Sequence, residues 1–440
     1  MTSQTKILSS GVILFLTKYK VYAMTTKAQQ IYKKHTTNAL DFRIPAIENS
    51  FIPERLENFV KAIKTHRYVT PFMVTDLEAI TTQCKLFRHA LPDIKMYYAV
   101  KCFNDKEVIR HMDMLVDGFD ISSVAEIKLL RSIDISPDRI VFSNPVKSEQ
   151  SLAQASVLGV RRFAYQSTNE LIKIKKHCKD AQVYLRIKVA DSTSAISFSS
   201  KFGCEPEEAV KLLVSAKKLG LKPIGITFHV GSQATVSEVW DKAIRRCLGI
   251  IQELKKYDIE LELLNLGGGF PVRYSDEDPT IDEVGKVING AITKNLPAKH
   301  TLQLMAEPGR FLVADSSVIV TTIIGVEERA GVPWLFLDVG SFQAFIEIFE
   351  FGNFPYPVHS LDHLTGKLPV TTTQHYVLTG PSCDSYDTMS FNVELPTDLA
   401  IGNKLIIDMC GAYTIVYGSN FNGFKVPSRK YIKNILSKHK

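Results

Sequence analysis

From about residue 96 the chain keeps a rhythm that leaves few folds open. Eight short β-rich runs recur: MYYAVK (96–101), GFDISS (118–123), IVFSNP (140–145), FAYQS (163–167), VYLRIKV (183–189), IGITFHVG (224–231), LLNLGGG (263–269) and LQLMAE (302–307). Between them, stretches such as VAEIKLLRSI (124–133) and EEAVKLLVSAKKLG (207–220) place apolar residues at helical spacing. Strands alternating with helices make a parallel sheet, and eight such units match a closed (β/α)8, TIM-like barrel. The barrel is expected over residues 67–315. Beyond it, SSVIVTTIIGVEE (316–328), PWLFLDVG (333–340), QHYVLTG (374–380), NKLIIDM (403–409) and YTIVYG (413–418) are β-branched runs without long helical segments between them. They predict an all-β domain over 316–440, joined by a strand from the 24–66 segment. Two domains suit 440 residues.

Residues 1–23 are expected to be an extension without a structural role, with Met24 as the working start. ILSSGVILFL (7–16) is too short to span a bilayer and is followed by Lys18 and Lys20, so no membrane association is expected. A poor signal peptide ending near Ala23 is the alternative. The net charge of +7 is spread along the chain, with no stripe of basic and aromatic residues to suggest a nucleic-acid partner. Seven scattered cysteines, odd in number and without C-x-x-C pairing, predict reduced thiols, a cytoplasmic location and no metal site.

Each barrel run starts apolar and ends polar or on glycine: Lys101, Asp120, Asn144, Gln166, Arg186, His229, Gly267 and Glu307. In such barrels the active site is assembled from those strand ends. Singly, each has a plain explanation: GGG as a turn, AEPGR as a turn with Arg310 in a surface ion pair, His229 as a core histidine. Together they suit one ligand. Lys101 ends the buried run YYAVKC, where an ammonium is costly unless a partner or a bond takes it up; an imine with an aldehyde would do so. Gly267, Gly268 and Gly269 would let backbone N–H groups close on a phosphate, with Ser232, Arg310 and Tyr413 as further donors. Glu307 could hold a proton on a pyridine nitrogen, and His229 could stack on the ring. These are the requirements of pyridoxal 5′-phosphate (PLP), although barrels that form Schiff bases with sugar phosphates share some of them.

The motifs YYAVKC, GFDISS, FHVGSQ, LGGGFP, AEPGRF, GPSCDSYD, GAYT and FNGF, in that order, resemble the ornithine decarboxylase family. These are fold-type III PLP enzymes with an alanine-racemase-like barrel and a β domain. The likeness runs from about Thr70 to Phe424 and is closest in kind to the bacterial ornithine/lysine enzymes. It implies that Lys101 carries the cofactor, that Asp120 and Arg186 line its pocket, that His229 stacks on the ring and that Glu307 pairs with the pyridinium. It places the phosphate on Gly267, Gly268, Gly269, Ser232, Arg310 and Tyr413. It also implies a homodimer with shared sites, in which the partner's GPSCDSYD completes the pocket. Cys383 would protonate the decarboxylated carbon, and Asp384 would hold the distal amine. A thiol beside a cationic neighbour is a suitable acid near neutral pH, which supports Cys383 independently.

GPSCDSYD offers Asp384 and Asp387 for a distal ammonium. Diaminopimelate decarboxylases usually read CESGD there, and their arginine-rich patch has no counterpart in this chain. In GSFQAFIEIFEFGNFPYP (340–357) a simple count puts Ile348 where eukaryotic members carry a substrate-binding aspartate, and Glu347 is the nearby acid chosen in its place, ahead of Glu350. The expected reaction is L-ornithine to putrescine and CO2 in polyamine biosynthesis, with L-lysine to cadaverine second. Alternatives are a diaminopimelate, arginine or carboxynorspermidine decarboxylase, or an inactive antizyme-inhibitor-like homologue. Retention of Lys101, Asp120, Arg186, Glu307, Arg310 and Cys383 counts against the last.

Overall fold

A computed structural model describes residues 54–64, 68–189, 194–297, 300–352, 354–369 and 372–433. The expectations for residues 1–23 and Met24 lie outside the described residues.

All eight barrel runs are strands, and they close in the order Lys95–Ala99, Gly118–Ile121, Ile140–Phe142, Arg162–Tyr165, Gln182–Arg186, Lys222–Thr227, Leu263–Asn265 and Gln303–Ala306. Every pairing is parallel, so the polar ends gather at one rim. Ala99 pairs with Asp120, which brings the ends carrying Lys101 and Asp120 side by side. Serine and threonine caps turn strands sharply into helices. Ser123 and Glu126 form a reciprocal capping box at the start of Val124–Arg131, only two residues past a barrel strand.

Side chains alternate between two cores. Tyr97, Val141, Ala164, Tyr184, Ile224, Leu263 and Met305 fill the barrel interior, one from each of seven strands. The remaining strand supplies Gly118, where a Cβ would fall 2.4 Å from the Tyr97 ring. A glycine there makes room for the tyrosine. The opposite strand faces join the larger core beneath the helices.

The β domain is a sheet ordered Val358–Ser360, Lys404–Ile407, Ser317–Arg329, Val332–Leu337, Thr373–Thr379 and Thr388–Pro396. Two expectations need correction. The strand that joins from the N-terminal side is Phe72–Thr75, antiparallel to Ser317–Arg329 and parallel to Ser428–Tyr431. Glu54–Lys64 is instead a helix that lays Leu56, Phe59, Val60 and Ile63 on this sheet. YTIVYG (413–418) is a series of turns and not a strand. Ile415 is buried and Tyr413 and Val416 are half-buried where the segment packs on the barrel mouth, and the Tyr413 N–H donates to the Cys102 carbonyl at 3.1 Å.

Candidate active site

The turn Val100–Cys102 ends the first barrel strand and carries Lys101 to the rim of a cavity of about 300 Å3. Its Nζ donates to Asp120 Oδ2 at 2.6 Å. Burial works against the ammonium, but the Asp120 and Glu307 carboxylates outweigh it and hold the group above its ordinary range. Asp120 is fully buried, and its second oxygen, Oδ1, has no hydrogen-bond partner. A buried orphan acceptor is costly and commonly marks a ligand position.

Glu307 follows the last barrel strand. Ser143 Oγ and Asn265 Nδ2 both donate to its Oε1, at 2.5 and 2.6 Å, leaving Oε2 for the cavity that the residue lines. Burial pushes its carboxyl up to about 7, Asp120 adds to the rise, and Lys101 opposes it. Such a group holds or yields a proton near neutrality. His229 lines the same cavity, with Nδ1 accepting from the Gly231 N–H at 3.0 Å, which leaves the proton of a neutral ring on Nε2. Phe198 meets this ring edge to face at 5.1 Å.

The glycine run is dictated by space. At Gly267 a Cβ would lie 2.0 Å from the Phe228 carbonyl, and at Gly269 2.3 Å from that of Gly231; both have positive φ. At Gly268 it would lie 3.0 Å from His229 Nε2, so backbone approaches the imidazole where a side chain would intrude. Arg186, Ser232 and Tyr413 also lie on the cavity wall, with the Arg186 guanidinium 5.1 Å from the Phe202 ring centre, whereas Asp120 and Gly267 are not among its lining residues.

Arg310 departs from expectation. Its Nη1 and Nη2 donate to Glu347 Oε2 and Oε1 at 2.9 and 2.7 Å, its Nε and Nη2 to Ser232 Oγ, and its Nη1 to the Tyr274 hydroxyl. Five N–H donors are thereby spent, which is a guanidinium's full complement. Glu347, expected to meet the substrate's far ammonium, lines the cavity and is paired with Arg310; both residues are nearly fully buried. Glu350, one turn on, is exposed and also lines the cavity, and its carboxylate makes no hydrogen bond or ion pair among the described residues.

Cys383 and Asp384 lie outside this cavity. Cys383 is exposed, with Sγ 3.6 Å from Asn422 Oδ1, so GPSCDSYD and FNGF meet in space. Asp384 caps the turn Ser385–Asp387 by accepting from the Tyr386 N–H. Asp387, paired with Asp384 in the sequence argument, is fully buried and accepts from the Ser341 and Ser382 N–H groups. It is a structural acid, unavailable to a substrate. Gln166 also lies off the cavity and holds the Gly203 N–H at 2.7 Å. Ser122, Ser143, Phe198, Phe202 and Tyr417 line the cavity and were not singled out from sequence. Ser143 and Asn265 stood inside quoted runs, and a polar residue within an apolar strand was the available signal.

The orphan Asp120 oxygen, the open Glu307 oxygen, the side-chain-free glycine run and a lysine in a cavity fit an aldehyde-bearing pyridine phosphate. Residues 77–314 match the family model described as pyridoxal-dependent decarboxylase, pyridoxal binding domain. Antizyme inhibitor 2 of Xenopus laevis is 32% identical over 88% of this chain and 86% of its own. The lysine/ornithine decarboxylase of Selenomonas ruminantium is 31% identical over 83% of this chain and 90% of its own. The crystal structure of lysine/ornithine decarboxylase from Vibrio vulnificus with cadaverine superposes with a TM-score of 0.78 at 29% identity, covering 86% and 99% of the two chains.

Proposed function

The chain belongs to the pyridoxal-dependent decarboxylase family that holds the ornithine and lysine decarboxylases, and on that premise we propose that it converts L-ornithine to putrescine and CO2, with L-lysine to cadaverine as a second reaction. Its cofactor is PLP, and its reaction class is amino-acid decarboxylation. When bound, PLP supplies an aldehyde that joins amino groups and a ring that accepts the electron pair released with CO2. The remaining work belongs to the chain.

Lys101 Nζ must shed a proton to act as a nucleophile, and Asp120 Oδ2 at 2.6 Å is the acceptor beside it. Glu307 Oε2 would hold a proton against the ring nitrogen of the bound cofactor, and the donors on Oε1 fix the direction of the carboxyl. His229, oriented by the Gly231 N–H, offers a flat face beside the cavity. The Ser232 hydroxyl accepts from Arg310 yet keeps its own O–H, which with the glycine N–H groups gives an anion its donors. A lysine, a buried acid and a glycine cradle thus converge from strands far apart in sequence.

The observation that supports a basic substrate is the Glu350 carboxylate on the cavity wall, for which no hydrogen bond or ion pair is found among the described residues. A carboxylate so placed favours a distal ammonium and disfavours a second carboxylate beside it. Ornithine and lysine differ by one methylene, so discrimination between them is about 1–3 kcal/mol. Purified protein with PLP, offered a panel of amino acids with amine products identified, tests this reading. Ornithine turnover above lysine is expected; preferential release of CO2 from arginine or diaminopimelate would refute it.

The site is proposed to be completed by Cys383 and Asp384 of a second copy in a homodimer. The support is exposure: neither residue reaches its own cavity, and Tyr386, Phe421 and Phe424 around them leave 63%, 40% and 38% of their surface uncovered. All seven cysteines are free, which accords with a cytoplasmic setting, and no described helix is long and apolar enough to cross a membrane.

A further inference from the structure

We propose that Glu347 competes with the cofactor's phosphate for Arg310, so that seating the phosphate requires Glu347 to take up a proton. The inference deepens the reading above, since it rests on the phosphate being held at Arg310.

The geometry leaves little alternative. The Arg310 guanidinium is buried and sits 4.9 Å from the Tyr413 ring centre and 5.2 Å from that of Phe351, so any new anion must meet it among groups already packed against it. Its donors are all engaged, two of them on Glu347. The Glu347 backbone is fixed as well, because its carbonyl accepts from the Glu350 and Phe351 N–H groups. A phosphate ester carries a charge of about −1.5 to −2 near neutrality. Placed at Arg310 beside an ionised Glu347, it would put about three negative charges around one positive charge in a buried site. One proton on Glu347 lowers the excess negative charge from about two to about one and frees a donor.

The groups facing this carboxylate make it the one that answers. Tyr274, Tyr356, Tyr413, Tyr417 and Cys102 are all pushed up by burial and stay neutral through the working range, and Arg310 stays charged. Glu350 is the other acid, but it is exposed and lies outside the ion pair. Burial already raises the Glu347 carboxyl against the pull of Arg310, so the proton is within reach. The sign follows from linkage. Where free Glu347 is ionised and bound Glu347 is protonated, binding takes up a proton and affinity rises as pH falls.

The test uses pyridoxine 5′-phosphate and pyridoxine, which lack the aldehyde and so do not join Lys101. Dissociation constants of both are measured calorimetrically between about pH 6.5 and about pH 8 for the wild type, Glu347→Gln and Glu347→Asp. Glu347→Gln should tighten the phosphate ester about tenfold or more at the alkaline end, leave pyridoxine nearly unchanged and reduce the pH dependence of ester binding to that shared with pyridoxine. Glu347→Asp, which keeps the charge but withdraws its oxygens from the guanidinium, should tighten the ester less. It also serves if the amide variant does not fold. Equal or weaker ester binding in both variants, or an unchanged pH dependence, overturns the inference while leaving the cofactor assignment intact. If neither ligand binds the wild type, the phosphate seat and the inference fall together.

Discussion

Glu307→Gln should make the cofactor-free protein more stable at alkaline pH while disabling the enzyme. The carboxyl is buried, and its pKa is displaced from 4.5 to about 7. At roughly 1.4 kcal/mol per pKa unit, ionising it in the folded state costs about 3 kcal/mol. Because the folded value is the raised one, its contribution is full below pH 4.5, declines as pH rises towards about 7, and is gone above that. Glutamine is never ionised, and its Oε1 can still accept from Ser143 and Asn265, so no hydrogen bond is lost. Urea unfolding without cofactor should therefore show the variant ahead of the wild type by about 3 kcal/mol near pH 8 and level with it near pH 4.5. With PLP, turnover should fall by about a hundredfold, because an amide cannot hold the ring proton in place. A stability difference independent of pH, or none at pH 8, would refute the assignment of Glu307 as the neutral-range acid.

Other sites give further checks. Cys383→Ala should keep the absorbance of bound PLP yet turn over slowly or release a wrongly protonated product, and unchanged rate and product would remove the thiol from the reaction. Mixing inactive Lys101→Ala with Cys383→Ala should restore activity through hybrid dimers if sites are shared, and no recovery under subunit exchange would indicate a self-contained site. Gly268→Ala should weaken PLP binding about tenfold or more, because its Cβ would press on His229 Nε2 and the Glu307 carbonyl at 3.0 and 2.9 Å; equilibrium titration reads this, and unaltered affinity contradicts the tight approach. Asp387→Asn should cost about 2–3 kcal/mol by turning an amide N–H towards the Ser341 or Ser382 N–H, with KM unaffected; a large KM change at unchanged stability would return Asp387 to the substrate.

The barrel was readable because its signal is local. Each strand is a short apolar run with a polar end, and each following helix shows its own period, as in the strand Gly118–Ile121 and the helix Val124–Arg131. The β domain was less so. Thr388–Pro396 escaped notice because much of it faces solvent and its apolar residues are sparse. YTIVYG mimicked a strand because its burial comes from packing on the barrel mouth and not from ladder pairing, with Tyr413 at φ +53°. Lys101, Asn144, Arg186, His229 and Glu307, which line the cavity, followed from the strand ends, but the pairing of Glu347 with Arg310 did not. Arg310 lies 37 residues earlier and in the other domain, and only the docking of the turn near Gly340 against the barrel brings the two charges together. Asp387 was misjudged for a related reason: its neighbours Gly340 and Gly380 crowd its carboxylate, a closeness invisible in the linear motif.

The account stands on Lys101 joining the cofactor aldehyde beside Asp120. Borohydride reduction of the protein with PLP, followed by peptide mapping, tests it most directly. The reduced adduct should appear on the peptide containing Lys101 and vanish in Lys101→Ala. An adduct on another lysine, or none, would contradict the account.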